Sequence, residues 1–309
     1  MVINLRLIYN FLNAAVPKNG SGDILMSWIN FVGVHKRLPK RRGGSLNDAL
    51  YYQKISDAMH EPLRTFVTDK EFLKDYVRVK VGAEHVVPTI AILTGPDEAR
   101  RYDYPENCVI KPTHLSGHVI IRHGNEPIEF EYLLYWFKIN QYENTRERNY
   151  KNLNPKIIVE PIIFGELFCD DYKVFCVNGH AKMIEVDTDR FEDHRRNYYS
   201  PGWDALDFGI KIPLGPLTPR PANLSRLVAL AEEMAADFPF VRVDLYTNGE
   251  TIYVGELTFC HENASGRFTS PAGEAHCAEI MFDGIKGDYL TLAARTTGQA
   301  PAFPMHART

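Results

Sequence analysis

The chain has 309 residues, enough for about two domains at roughly 150 residues each and for a sizeable buried core. It is 45% hydrophobic, 24% charged and 12% aromatic, which is ordinary globular usage and excludes a collagenous, low-complexity or largely disordered protein. A net charge of -4, from 35 Lys+Arg against 39 Asp+Glu, excludes global attraction to nucleic acid or an anionic membrane, so any polyanion must meet a local patch. The cysteines Cys108, Cys169, Cys176, Cys260 and Cys277 form no CxxC pair, which argues against a zinc ribbon or disulfide framework and for a reduced, cytoplasmic setting.

Residues 5–16 are interrupted by Asn10 and Asn13 and fall short of the about 20 apolar residues of a membrane span. They read as an N-terminal helix rather than a leader or an integral membrane segment, with peripheral membrane contact as the alternative. The basic run His35, Lys36, Arg37, Lys40, Arg41, Arg42 is ended by Gly43 and Gly44 and reads as a solvated loop. Helix and turn material is predicted over 57–76, with Pro62 as a breaker and Asp69 capping a helix over 70–81. After Gly82 the pattern changes to short strands near 86–93, 109–111, 157–159, 172–177, 181–186, 241–246 and 251–259. Asn178-Gly179 and Asn248-Gly249 mark hairpins. Helical spacing over 224–238 ends at Pro239. With no fixed-period repeat and no glycine-rich dinucleotide loop, the chain is predicted to be α+β.

In the last hairpin, strand alternation places Arg242, Asp244 and Tyr246 on one face, and Val254, Glu256 and Thr258 on a face of the partner strand. The turn brings Asp244 near Glu256, and facing carboxylates need a cation between or beside them: either Mg²⁺, or an ion pair such as Asp244 with Arg242. Lys111 closes an apolar strand and is followed by Thr113, Ser116 and Gly117, which suit phosphate oxygens; the bland alternative is an edge lysine reaching solvent. His114, His118 and His123, with Cys108 or Glu129, offer a rival metal site, but Ser116 and Gly117 disfavour the helix that would align them, and His261-Glu262 lacks the second histidine of an HExxH site. No GxSxG elbow or cysteine-nucleophile signature is present, so a covalent enzyme intermediate is not expected.

Five blocks stand in one order: Thr68-Asp69-Lys70 with Asp75-Tyr76-Val77, Gly82 and Val87-Pro88; Val109-Ile110-Lys111-Pro112-Thr113 with Ser116-Gly117; Asp171-Tyr172-Lys173-Val174-Phe175 with Asn178-Gly179; Asp189-Arg190 with Arg196-Asn197-Tyr198-Tyr199 and Trp203; and Val241-Arg242-Val243-Asp244-Leu245-Tyr246 with Gly255-Glu256-Leu257-Thr258-Phe259. Together they resemble the TupA-like branch of the ATP-grasp superfamily, associated with teichuronopeptide and surface-polysaccharide biosynthesis. The resemblance implies an ATP-grasp fold: a helical lead-in (1–68), a smaller lobe (69–155) and a larger lobe (156–309) that clamp ATP between them. It implies an ADP-forming carboxylate–amine ligase working through an acyl phosphate with ATP and Mg²⁺, joining an amine or amino acid to a uronic-acid-containing glycan or related carboxylate. A nucleic-acid partner is not expected, and the oligomeric state stays open. Lys70 and Lys111 resemble the phosphate-contacting lysines, with Ser116 beside them. Glu160 looks like the hinge residue, the Pro161 and Ile162 backbone lying along adenine. Asp171 is similar to the ribose-side acid, with Asp170 competing for that role, and Lys173 reaches phosphate. Asp244 and Glu256 match the metal ligands, and Arg242 resembles the arginine at the reacting acyl group. Thr258 stands where many relatives have Asn, so its hydroxyl or Asn263 completes the metal shell. The segment from Cys260 to Gly266 replaces a Pro-Gly turn, which leaves the acceptor open.

Arg190, Arg195 and Arg196 form a cluster suited to an acidic substrate, or else a solvated loop with internal ion pairs. The alternative activity is a glycosyltransferase using Asp187-Thr188-Asp189 as a DxD motif. A further alternative is a non-catalytic nucleotide-binding module.

Overall fold

Capping chemistry sets many of the helix boundaries. The computed structural model describes residues 5–124, 126–165, 170–188, 193–283, 285 and 287–293, with side chains from Tyr9 onward. The first part is helical: α1 (Leu5–Ala15), α2 (Gly20–His35), α3 (Leu46–Ile55), α4 (Pro62–Thr68) and α5 (Lys70–Lys80). Asn19 caps α2 by accepting from the Gly22 N–H, and Asp48 accepts from the Ser45 N–H where α3 begins. Pro62, expected to break a helix, opens α4 at its first turn, where the missing N–H would have had no intrahelical partner. Asp69 caps α5 through the Glu71 N–H, in the place its sequence position predicts. The basic run after α2 differs from a freely solvated loop: Arg37 forks onto Asp48 and also meets Glu274, and Arg41 pairs with Asp288.

Next come β1 (Ala91–Leu93), α6 (Pro96–Arg101), β2 (Cys108–Pro112), β3 (Ile120–Arg122), α7 (Phe130–Tyr135), α8 (Gln141–Thr145) and β4 (Ile157–Pro161). The strands form an antiparallel sheet in the order β1-β4-β2-β3, so β4, which lies past residue 155, belongs to this sheet. Cys108, Ile110, Ile157 and Val159 turn one face onto Leu133 and Trp136. Val109, Lys111 and Glu160 line a cavity on the other.

The second sheet contains β5 (Asp171–Val177), β6 (His180–Thr188), β7 (Arg195–Tyr199), β8 (Phe240–Thr247) and β9 (Ile252–Thr258); α9 (Leu224–Ala235) precedes β8, and α10 (Pro271–Phe282) and α11 (Tyr289–Ala293) follow β9. Its order is β7-β6-β5-β8-β9. Both predicted hairpins form, β5–β6 and β8–β9. Asn178 and Gly179 both take positive φ, 52° and 79°, as a two-residue hairpin turn of this hand requires. Tyr172, Val174, Val241, Val243 and Leu245 bury one face in a core that includes Leu227, Ala231 and Met234 of α9. Each large apolar side chain so buried stabilises by roughly 1.5–3 kcal/mol before entropy is subtracted. The opposite face is divided. Phe175, Val177, Met183 and Phe240 pack with Leu46, Leu50, Cys277 and Met281, while Asp171, Lys173, Glu185, Asp187, Arg196, Arg242 and Asp244 occupy the rest.

Residues 195–199 are therefore an edge strand with Arg196, Asn197, Tyr198 and Tyr199 buried, which corrects the solvated-loop alternative. A bulge corrects strict alternation in β9: Asp244 pairs with Glu256, but Leu245 pairs with Val254, leaving Gly255 as the extra residue. Val254 accordingly joins the core with Leu245 instead of sharing a face with Glu256. Glycine suits the bulge, because a Cβ there would lie 2.5 Å from the Tyr246 ring and force that ring to move. Among the described residues, no helix is long and apolar enough to cross a membrane.

Candidate active site

A cavity of about 590 Å³ lies between the charged face of the second sheet and the open face of the first, within the usual size range for small-molecule sites. Val109, Ile121, Ile162 and Ile163 make an apolar stretch of wall, and the remainder is dense in ionisable groups.

Lys70, at the start of α5, is held where helix, loop and sheet meet. Its N–H donates to the Thr113 carbonyl, its Nζ donates to the Leu115 carbonyl at 2.7 Å, and the same Nζ lies 3.1 Å from Glu256 Oε1. This ties the 113–117 loop to the helix. One turn further along, Lys74 Nζ sits 2.6 Å from Glu160 Oε1, while Lys111 Nζ sits 3.0 Å from Glu160 Oε2. Burial works to raise the Glu160 carboxyl, but Lys111 and Lys74 overcome it and hold the group below its ordinary range. Two lysines against one carboxylate leave that trio net positive.

Across the cavity, Lys173 bridges Asp171 and Asp187, and Arg196 reaches Asp187, Glu185 and Glu262. Burial would lower Lys173, yet the carboxylates around it raise it. Arg242 forks onto Asp244, with Nε to Oδ1 at 2.7 Å and Nη2 to Oδ2 at 2.6 Å, and Nη2 also donates to Thr258 Oγ1 at 3.0 Å. The Asp244–Arg242 ion pair is thus present. Both partners shift upward: burial lifts Asp244, to about 7, against the pull of Arg242, and the Asp244 charge lifts Arg242 against burial. The bidentate geometry favours the ionised pair. Because an arginine cannot accept, His261 Nδ1 must accept from Arg242 Nη1 at 2.6 Å, which puts the imidazole proton on Nε2, 3.6 Å from Glu185. Burial first and Arg242 second hold His261 well below its usual value, hence neutral.

Residues 49–276, nearly three quarters of the chain, match the model of a family described as TupA-like ATPgrasp. The chain belongs to the TupA-like ATP-grasp family. No curated protein matches it. Among solved structures it is similar to the ATP-grasp ligase PsnB in complex with a precursor variant, Mg and ADP, at 13% identity over 76% of this chain and 60% of that one, with a TM-score of 0.36. It is also similar to D-alanine–D-alanine ligases from Helicobacter pylori (15% identity, 74% and 60% coverage, TM-score 0.37) and Bacillus anthracis (16%, 75% and 67%, TM-score 0.42). The chain spans about three fifths of the length of PsnB and of the H. pylori enzyme.

In this ATP-grasp fold, Lys70, Lys111, Ser116, Glu160, Ile162, Asp171, Lys173, Arg196, Arg242, Asp244, Glu256 and Thr258 all line the one cavity. Asp170 lines it too. Arg195, on the alternate face of β7, pairs with Asp193 and is not part of the lining, which separates it from Arg196. Arg190, Asp189 and Cys169 lie outside the described residues. Asp187 is taken up by Lys173, Arg196 and His194. His114 contacts the Trp136 carbonyl and His118 the Tyr132 hydroxyl. Among the described residues, no group of three or more His, Cys, Asp or Glu side chains is arranged to hold a metal. Sequence reasoning missed Lys74, whose i, i+4 spacing from Lys70 was the available signal. It also missed Glu147 and Tyr150, which stand in a polar stretch without periodicity.

Proposed function

We propose that this chain is an ATP-dependent carboxylate–amine ligase, using Mg²⁺ and forming an acyl phosphate that an amine then attacks. The observation that carries the reading is the cross-strand pair Asp244–Glu256, facing a cavity with Lys70, Lys111, Lys173 and Arg242 around it. Family membership supports the same class. The donor set fits Mg²⁺: two carboxylates paired on one sheet face and a hydroxyl at Thr258, for an ion that usually takes one or two carboxylates plus water and phosphate oxygens. Bound there, it would neutralise phosphate charge. The net-positive trio of Lys74, Glu160 and Lys111 offers a standing cation for phosphate, and the Val109–Ile162 wall suits the adenine ring, with the backbone after Glu160 alongside. Asp171 is the acid for the ribose. Arg242, released from Asp244, steadies the charge that develops on the acyl group. A uronic-acid-containing glycan or related carboxylate is the proposed acid substrate, with Arg196 in reach of the cavity. A helical lead-in over 1–68 and two lobes are part of the same proposal; because β4 pairs within the first sheet, the lobe boundary expected at 155 is moved past Pro161. The test is ADP release and hydroxylamine trapping of an acyl hydroxamate across a panel of sugar acids and amino acids. Sugar-nucleotide hydrolysis without ATP would sink the reading.

A further inference from the structure

One buried acid on the cavity wall has no task in the ligase reading. Glu147, just past α8, is only 7% exposed and lines the same cavity. The other buried acids there each have a cation of the chain against them: Lys74 and Lys111 for Glu160, Lys173 for Asp171 and Asp187, Arg242 for Asp244; half-buried Glu256 has Lys70. Glu147 is in no ion pair among the described residues. Lys54, buried nearby, acts on it electrostatically but forms no ion pair with it, its Nζ donating instead to Asn263 Oδ1 at 2.5 Å. The Thr145 hydroxyl is within hydrogen-bond reach, but it is neutral. A carboxylate desolvated without a countercharge is costly, and a cationic ligand docking against it offsets that cost. Glu147 lines the same cavity as Glu256 and feels its charge.

We propose that Glu147 receives the ammonium group of the acceptor substrate, a primary amine that enters the cavity as its cation. This rests on the ligase reading, which requires an amine and assigns no residue to it. The chemistry balances. The ammonium hands one proton to the Glu147 carboxylate, and the neutral nitrogen attacks the acyl carbon. The C–N bond forms as the bond from that carbon to the phosphate oxygen breaks, phosphate leaves with the electron pair, and the second nitrogen proton departs with it.

Two measurements on the full chain test the site. Ligand-observed NMR compares ethanolamine, protonated at neutral pH, with uncharged ethylene glycol on wild type, Glu147→Gln and Glu147→Asp. Wild type should bind ethanolamine and not ethylene glycol. Glu147→Gln should weaken ethanolamine binding about tenfold or more, as loss of a charge-assisted contact does, and Glu147→Asp should keep part of it. Hydroxylamine is neutral at this pH and needs no such receptor. With MgATP and D-glucuronate, D-galacturonate or L-glutamate as probes, Glu147→Gln should therefore form hydroxamate within about threefold of wild type while losing turnover with ethanolamine. Equal ethanolamine binding by wild type and Glu147→Gln, no ethanolamine binding by wild type, or loss of hydroxamate in a folded Glu147→Gln overturns the proposal. Absence of hydroxamate from wild type with every probe counts against the ligase reading, and the ethanolamine comparison still decides whether Glu147 is an ammonium site.

Discussion

Removing the charge at Glu147 should stabilise the ligand-free protein, and the size of the gain follows from its surroundings. Burial pushes this carboxyl up from 4.5 to about 7, with Lys54 and Thr145 pulling back only in part. The folded state therefore holds a proton that the unfolded chain has already lost, and stability falls as pH rises through the window from about 4.5 to about 7. A shift of that size, at 1.36 kcal/mol per unit, amounts to about 3 kcal/mol above the window and vanishes below it. Glutamine at 147 has no charge to desolvate. Glu147→Gln should thus be about 3 kcal/mol more stable than wild type at pH 8, with the gap narrowed by about 2 kcal/mol at pH 5.5. With an unfolding entropy near 2.1 cal/mol/K per residue, the gain at pH 8 is a rise of about 5 °C in thermal midpoint. Calorimetry of both proteins at the two pH values, without nucleotide, checks this. A variant equal to or less stable than wild type at pH 8, or a gap indifferent to pH, would refute the claim that Glu147 is a buried charge lacking a countercharge.

Other substitutions probe the remaining clusters. Glu160→Gln leaves Lys74 and Lys111 facing each other with no acid between them and should cost about 3–5 kcal/mol in urea unfolding, as breaking a buried pair does. Arg196→Ala should destabilise by a similar amount because Glu185 loses its arginine while Asp187 and Glu262 each lose one of two or more partners, whereas Arg195→Ala, half exposed beside Asp193, should stay within about 0.5 kcal/mol. Gly255→Ala should cost about 1–3 kcal/mol through its contact with the Tyr246 ring, and Tyr246→Leu should recover much of it; no recovery would mean the bulge itself is at fault. On the ligase reading, Asp244→Asn and Glu256→Gln each lower Mg²⁺-dependent ADP release by about 10² or more, and wild-type rates in both would remove them from the metal site.

What could be read ahead of the structure was local. Asp69 ahead of Lys70 announces a capped helix start, and Asn178-Gly179 announces a two-residue turn, because each residue type suits one backbone shape. The approach of Asp244 to Glu256 follows from hairpin geometry in the same way. Gly255 was harder: the clash that excludes a side chain there comes from Tyr246 across the hairpin, so nothing in the flanking residues signals a bulge. The stretch 195–199 was open between loop and site because its inward charges, Arg196 above all, are tolerable only with Asp187 and Glu185 of β6 beside them. Glu147 illustrates the limit most clearly. Its meaning lies in the contrast with acids brought together from both sheets, and no window of sequence contains that contrast.

The pairing of Arg242 with Asp244 and of Lys70 with Glu256 makes this side of the cavity self-neutralised, unlike the net-positive trio of Lys74, Glu160 and Lys111. On the proposed reading, Asp244 and Glu256 would hold a divalent cation in place of Arg242 and Lys70, and those two side chains would then be available to phosphate. A nucleotide arriving first meets cations already engaged, and a metal arriving first meets carboxylates already engaged. Each ligand would remove the competitor of the other, so on this reading metal and nucleotide would bind as linked partners, each tightening the other by the same factor.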